Sequence, residues 1–264
     1  MRGDMAIEKP APIQIGDRYM YTLTSYEPVT VELKVPSVTD ADVDLAVEQI
    51  IATRRKDDEK VDDAWIAANF EGLSGMAALR EDVRGQISTM NTQMVEDSKT
   101  GRCVAELAKR LGQSVPQSEI AQMRQVVQMR LEQDLAMRGI SMEEFLAAGG
   151  GASQASLDAM LDADARAAAE GDAALDAYAA EKKLEVNESE YAALLGVDQK
   201  TLDDVMADAR KAGQSERVRE SALRAKAARV LTAEASITYS HETAEEAEAR
   251  IDRMRQMAAD RKAE

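Results

Sequence analysis

The sequence predicts a mainly α-helical protein built from thin layers of paired helices, with a small β segment near the N-terminus. Apolar residues recur at steps of three or four along most of the 264 residues, a spacing typical of amphipathic helices. Hydrophobic residues make up 45% of the chain but aromatic residues only 3%, which disfavours a thick globular core. Alanine supplies much of the apolar content, and its small side chain lets paired helices approach closely.

The only region with a β pattern is residues 13–35. Apolar residues alternate there at Ile13 and Ile15 and again from Val29 to Val35, and Pro28 interrupts the alternation. The pattern predicts two or three short strands, which would form only a marginal sheet alone.

The first helices are marked by a cap and by aromatic residues. Thr39 with Asp42 resembles a capping box and opens a helix whose apolar stripe includes Val43 and Val47. A charged connector, residues 54–63, follows it. Trp65 and Phe70 lie close in sequence and predict a packing anchor. Residues 79–111 then continue in a helical pattern.

Residues 115–146 predict a helical hairpin. Pro116 begins a helix, Gly139 ends it, and Ser141 with Glu144 forms a capping box for a second, short helix. Five residues form the predicted packing seam of the first helix: Ile120, Met123, Val127, Leu131 and Leu135. Val126, Met129 and Met137 lie off this seam.

A long return helix is predicted from about residue 156 to 184. It begins with Leu157, Met160 and Leu161, and its middle contains no large apolar residue. This alanine stretch should allow a partner helix to come close. Asn187 with Glu190 caps the next helix. Two further helices and a helical tail of alternating charge, residues 241–264, complete the pattern.

Charge and composition narrow the class of protein. The formal net charge of −16 disfavours binding to nucleic acid, whose phosphates require Lys and Arg. No stretch approaches the roughly 20 apolar residues of a membrane span, and the N-terminus lacks the apolar run of a secretory signal. The single cysteine fits a reducing compartment. If the sequence is the whole gene product, we expect a cytoplasmic protein that does not bind membranes.

Residues that could carry catalysis are scarce. His241 is the only histidine and has no cysteine near it in sequence, and Cys103 is interpreted as a small buried apolar residue. The glycine run 149–151 lacks the spacing of a phosphate-binding loop. The carboxylates are interpreted as solvated helix faces rather than a metal site. The sequence therefore predicts no enzyme activity, no metal and no cofactor.

The 14 methionines allow two interpretations. A methionine stripe on a helix is more often part of the core. Their number and their spread over several helix faces favour a binding surface, because Met is flexible and lines promiscuous sites.

Four segments together resemble the C-terminal chaperone domain of bacterial trigger factor. The strongest is VPQSEIAQMRQVVQMRLEQDLAMRGISMEEFL at residues 115–146, where a Val-Pro start, a long arm helix and a Gly-Ile-Ser turn match the family. The others are LEVNESEYAALL at 184–195 and RVRESALRAKAARVLTAEASIT at 217–238, and VDDAWIAANFEGLSGMAALREDVRGQI at 61–87 resembles the family's entry segment. The resemblance covers about residues 60–240.

The resemblance implies an extended multi-helix domain with protruding arms, a SurA-like architecture. It predicts a β remnant at 1–36, a linker at 37–60, a chaperone domain at 61–240 and a tail at 241–264. Arm one would span about 115–160 and arm two about 161–212. The segment before residue 54 resembles the family's lead into its prolyl isomerase domain, yet the chain passes almost directly from Arg54 to Val61. The Gly-Phe-Arg-x-Gly-Lys ribosome-docking motif is also missing from this sequence.

The resemblance implies an ATP-independent holdase that binds unfolded or nascent polypeptides, without isomerase activity or ribosome binding. In the family, apolar inner faces of the arms hold unfolded segments. By motif matching, the client-binding residues would be Met123, Val126, Val127, Met129, Met137, Phe145, Leu146, Met160 and Leu161. A structural or assembly protein, whose cradle is buried in a homodimer, remains the alternative.

Overall fold

The protein is mainly α-helical, which confirms the predicted fold class. The computed structural model describes residues 9–15, 18–56, 59–148 and 153–263. The glycine run 149–151 therefore lies outside the described residues. The strands are β1 (Ile13–Ile15), β2 (Arg18–Met20), β3 (Thr30–Val35) and β4 (Ser236–His241). The helices are α1 (Asp40–Arg54), α2 (Asp63–Asn69), α3 (Met76–Ala108), α4 (Gln117–Met137), α5 (Met142–Ala148), α6 (Gln154–Glu181), α7 (Tyr191–Leu195), α8 (Gln199–Lys211), α9 (Ser215–Glu234) and α10 (Ala244–Ala263).

The strands form two small sheets. β1 pairs with β2 in antiparallel register, with Ile13 opposite Met20. β3 pairs with β4, a partner from the far end of the chain. The amide of Ser236 donates to the Val29 carbonyl at 2.8 Å, and the amide of Glu242 donates to the Val35 carbonyl at 3.0 Å, so both strands advance in the same direction. The sequence predicted short strands in 13–35 but not the pairing with β4.

The chain divides into two compact units, each made from separate stretches of sequence. Unit 1 contains residues 1–31 and 100–237, and unit 2 contains residues 32–99 and 238–264. These bounds differ from the division suggested by the resemblance, because each unit takes part of α3. That helix runs unbroken for 33 residues through Gly85 and Gly101.

Unit 1 is organised around α6. Small residues line its buried positions, and α4 and α9 are the helices that pack against it most. The close approach predicted for the alanine stretch is confirmed, since Ala165 and Ala174 are both fully buried. A Cβ built on Gly171 would lie 3.0 Å from Cγ1 of Val104 in α3. The Val104 side chain therefore fills the space beside Gly171, and a larger residue at position 171 would have to displace it.

Polar contacts join α9 to α6. Arg224 donates to Asp172 at 2.8 Å and, through two nitrogens, to Asp176 at 2.7 and 2.6 Å. Burial raises the pKa of the Asp172 carboxyl, and the opposing attraction of Arg224 limits that rise. The hydroxyl of Tyr178, which is only 1% exposed, donates to Glu234 of α9 at 2.9 Å. These bonds fix the rotation of α9 about α6.

Unit 2 has a core of larger side chains. The predicted capping box is present at the start of α1, where the Asp42 amide donates to the Thr39 hydroxyl and the Thr39 amide donates back to the Asp42 carboxylate. Trp65 and Phe70 contact each other edge to face, with ring centroids 6.1 Å apart. The following cluster joins α1, α2 and the start of α3: Val43, Val47, Ile66, Phe70, Leu79 and Val83.

A network around Arg250 ties α10 to the start of α1 within unit 2. The guanidinium of Arg250 donates to Asp42 at 2.7 and 3.1 Å, to Glu242 at 3.1 Å and to the Ser37 carbonyl at 3.0 Å. Burial alone would raise the pKa of the Asp42 carboxyl. The hydrogen bonds from Arg250 and Thr39 together outweigh burial and lower this pKa to about 2.

We predict that Gly171→Leu destabilises the protein and that Gly101→Leu does not. Leu at 171 would meet Val104, and such overpacking costs about 1–3 kcal/mol. A Cβ at Gly101 would have no atom within 4 Å, so the matched substitution should gain up to about 1 kcal/mol of helix propensity. Urea unfolding followed by circular dichroism measures both. Equal stabilities of the two variants would contradict the close packing of α6 on α3.

We also predict that Asp42 stabilises unit 2 at neutral pH. Its folded pKa of about 2 lies below the usual value of about 3.9, so its contribution is complete above pH ~5 and is lost as pH falls toward 2. Asp42→Asn should lower the free energy of unfolding at pH 7 by about 1–2 kcal/mol and flatten its pH dependence in that window. Fluorescence of Trp65, the single tryptophan, reports unit 2.

The matched control is Glu48→Gln, which removes an exposed carboxylate from the same helix. It should change the free energy of unfolding by less than about 0.5 kcal/mol at pH 7. An unchanged acid slope in the Asp42→Asn protein would contradict the role of the Arg250 network.

Candidate functional site

Helix α4 has two apolar stripes that point in different directions. Its seam packs inward: Ile120 and Leu135 are buried, and Met123, Val127 and Leu131 are half-buried. The second stripe is exposed: Val126, Met129 and Met137 are 39%, 53% and 81% exposed. Their steps of three and eight residues place them on one side of the helix. We call Val126, Met129 and Met137 the α4 outer stripe.

Charged contacts hold the α4 seam against α6. Arg124 donates to Asp158 and to Asp162 of α6, each at 2.6 Å, and to Gln128 on its own helix at 2.8 Å. Partly exposed ion pairs of this kind each contribute at most about 1 kcal/mol. Their main effect is therefore geometric, because they select one rotation of α4 and keep the outer stripe turned from α6.

The start of α6 places its large apolar residues in two environments. Leu157 and Leu161 are buried, at 5% and 3% exposed, whereas Met160 is 44% exposed. Leu161 was among the expected client-binding residues. Its position on the inward face of α6 makes it a packing residue, and its side chain is inaccessible to a client in this conformation.

The turn between α4 and α5 forms as the sequence predicts. Gly139 has a positive φ of 69°, which favours glycine at the end of a helix. The amide of Ser141 donates to the Glu144 carboxylate at 2.7 Å, and the amide of Glu144 donates to the Ser141 hydroxyl at 3.1 Å. The first of these bonds lowers the pKa of Glu144. Phe145 and Leu146 on α5 are half-buried, so each presents part of its surface to solvent.

The residues that flank the α4 outer stripe are mostly uncharged. Gln122, Gln125, Gln133 and Ala136 are exposed on the same side of α4. Arg130 is also exposed beside the stripe, four residues after Val126 and seven before Met137. The stripe is therefore an apolar surface with mostly uncharged edges and one arginine, which suits contact with chains of varied sequence.

Other exposed apolar residues were not predicted as sites. Ile140 follows the α4 outer stripe and is 38% exposed. Met90 and Met94 of α3 are 63% and 54% exposed and lie in the region where the sequence predicts a helical pattern. Ile13 and Ile15 of β1 are also exposed. Period-two alternation predicted their strand but could not show which side would lack a covering layer.

The described residues offer little for bond-making chemistry. No group of three or more His, Cys, Asp or Glu residues within the described part of the chain could hold a metal ion. Cys103 is fully buried in α3, and His241 is exposed at the end of β4. Among the helices that the structure describes, none is long and apolar enough to cross a membrane. The surface offers instead exposed apolar side chains on α4 and α6.

Comparison with known families identifies the fold. The sequence model described as bacterial trigger factor protein C-terminus matches residues 75–233, which is more than half of the chain. A comparison with curated proteins returned no match. The chain therefore belongs to the family of the trigger factor C-terminus, a chaperone domain and not a catalytic one.

We predict that the two stripes of α4 differ in their effect on stability. Leu135→Ala should cost about 2–4 kcal/mol, because Leu135 is only 5% exposed and its loss leaves a cavity. Met129→Ala, on the exposed side, should change the free energy of unfolding by less than about 0.5 kcal/mol. Urea unfolding followed by circular dichroism measures the free energy of unfolding of both variants. If Met129→Ala proved as destabilising as Leu135→Ala, the outer stripe would be part of the core.

Proposed function

We propose that this member of the trigger factor C-terminal family is an ATP-independent holdase that binds unfolded or nascent polypeptides through apolar faces of its helical arms. The observation that carries the proposal is the exposure of the α4 outer stripe. Family membership supports a chaperone-type role, and the exposed methionines supply a surface on which an apolar segment could be held.

The expected binding is weak and reversible. Covering one exposed methionine or valine contributes at most about 1.5–3 kcal/mol, and ordering the client opposes part of this gain. Three such side chains, with help from Met160 and half-buried Phe145 and Leu146, would hold a segment without trapping it. Methionine suits this role because its unbranched side chain adapts to different partners.

The charge of the protein supports the same role. A net charge of −16 keeps a protein with exposed apolar area soluble, alone and in complex with an aggregation-prone client. It also opposes association with nucleic acid. We propose a cytoplasmic chaperone without isomerase activity, because α1 is followed directly by the connector to α2.

We predict that Val126→Ser, Met129→Ser and Met137→Ser together reduce client holding several-fold without unfolding the protein. The measurement is light scattering of citrate synthase diluted from denaturant in the presence of the protein. The matched control also changes one β-branched residue and two methionines, all exposed and outside both predicted arms: Ile15→Ser, Met20→Ser and Met254→Ser.

The control should protect citrate synthase as well as the natural sequence does. Equal protection of citrate synthase by the two triple variants would contradict the proposal. Light scattering of the protein alone tests the alternative assembly role. A dimer that dissociates on mutation of the α4 outer stripe would favour a homodimer interface over a client site.

A further inference from the structure

The first half of α3 presents a wide, open face to solvent in unit 2. Its lining residues all come from this one helix: Ala78, Glu81, Asp82, Gly85, Gln86, Thr89, Met90, Gln93, Met94 and Asp97. We call this surface the α3 trough. Its exposed surface is mainly apolar. A Cβ built on Gly85 would have no atom within 4 Å, so the surface is open at that residue.

The apolar part of the trough continues a stripe that is buried earlier in the helix. Leu79 and Val83 are each 2% exposed and pack in the core of unit 2, and Ile87 packs against that cluster. Met90 and Met94 follow at the same helical spacing but are 63% and 54% exposed. The neighbouring helices therefore cover this stripe only for its first three turns, and Met90 and Met94 are exposed to solvent.

Carboxylates provide the charge of the trough. Glu81, Asp82 and Asp97 line it, and no lysine or arginine is among the described lining residues. The nearby cations are engaged elsewhere in unit 2, since Arg80 pairs with Asp44 and Arg84 pairs with Asp40. Two of the carboxylates accept hydrogen bonds from neutral amides, Asp82 from Gln86 at 2.7 Å and Asp97 from Gln93 at 2.8 Å. Their negative charge is therefore left without a cationic partner in these contacts.

We propose that the α3 trough binds a basic amphipathic helix of a partner protein. The apolar side of such a helix would cover Met90 and Met94, and its lysines or arginines would meet Glu81, Asp82 and Asp97. An apolar strip with acidic edges is the complement of that shape and charge. A second copy of the same face would bring like charges together, which opposes pairing of two α3 troughs.

The proposal is separate from client holding by the arms. The α4 outer stripe in unit 1 is flanked mostly by uncharged residues and by Arg130, whereas the α3 trough has acidic edges in unit 2. The two surfaces should therefore be separable by mutation, and each should survive loss of the other.

The test uses the full chain and a fluorescein-labelled Lys/Leu peptide designed as an amphipathic helix of about five turns. Its control is the Glu/Leu peptide of the same pattern. Fluorescence anisotropy at low ionic strength should show binding at least tenfold tighter for the Lys/Leu peptide, and salt should weaken that preference. Equal binding of both peptides would overturn the proposed charge match.

Two variants test the location. Met90→Ser with Met94→Ser, and separately Glu81→Gln with Asp82→Asn and Asp97→Asn, should each weaken Lys/Leu binding about tenfold. The matched control removes three exposed carboxylates outside the trough: Glu48→Gln, Glu245→Gln and Glu248→Gln. It should change the affinity less than twofold, and Trp65 fluorescence should show that unit 2 remains folded in every variant.

Unchanged affinity in the trough variants, or an equal loss in the control, would overturn the proposal. A dimer of the natural sequence that Met90→Ser with Met94→Ser dissociates would also overturn it, in favour of a self-interface. The triple variant of the α4 outer stripe should bind the peptide normally. Failure of the holdase assay alone would therefore leave the α3 trough intact, and failure of peptide binding alone would leave the arm proposal intact.

Discussion

The burial of α6 is the constraint on which the described structure of unit 1 depends. Large side chains would have separated α6 from its neighbours, but alanines and Gly171 allow α3, α4 and α9 to lie close to it. Small residues contribute little apolar area each, so stability must come from close packing over a long helix. Arg224 with Asp172 and Asp176 adds directional contacts between α6 and α9, because a guanidinium and carboxylates bond only in a narrow range of orientations.

The same constraint explains why apolar residues remain outside. Once Arg124 fixes α4 against α6, only one side of α4 can be buried, and Ile120 and Leu135 occupy it. The α4 outer stripe is then exposed for geometric reasons, since it lies on the side of α4 that is turned away from α6. The exposed Met137 side chain makes no evident contribution to the stability of the fold. Exposing so much apolar surface to solvent is unfavourable, and a role in binding would explain why it is retained.

Local features of the fold followed from the sequence because their causes are local. The capping boxes at Thr39 and Ser141 and the αL glycine 139 depend only on residues within one turn, and the structure contains all three. The α4 seam was predictable for the same reason. The paired strands β3 and β4 were not, because roughly two hundred residues separate them and hydrophobic pattern carries no information on partners.

The candidate site was predictable only in part. Periodicity separated Met129 and Met137 from the α4 seam, but it could not show that Leu161 turns inward or that Met90 and Met94 lose their covering layer. Both outcomes depend on where neighbouring helices end, which is a tertiary property. The network joining Arg250 to Asp42 was equally hidden, since its members come from opposite ends of the sequence.

The most direct measurement is NMR of the protein labelled with ¹³C at its methionine methyl groups, titrated with a chemically unfolded client chain. If the arms hold clients through the α4 outer stripe, the Met129 and Met137 resonances should shift and broaden, and the half-buried Met123 should respond less. Resonances of Met129 and Met137 that stay unchanged while the client binds would contradict the account.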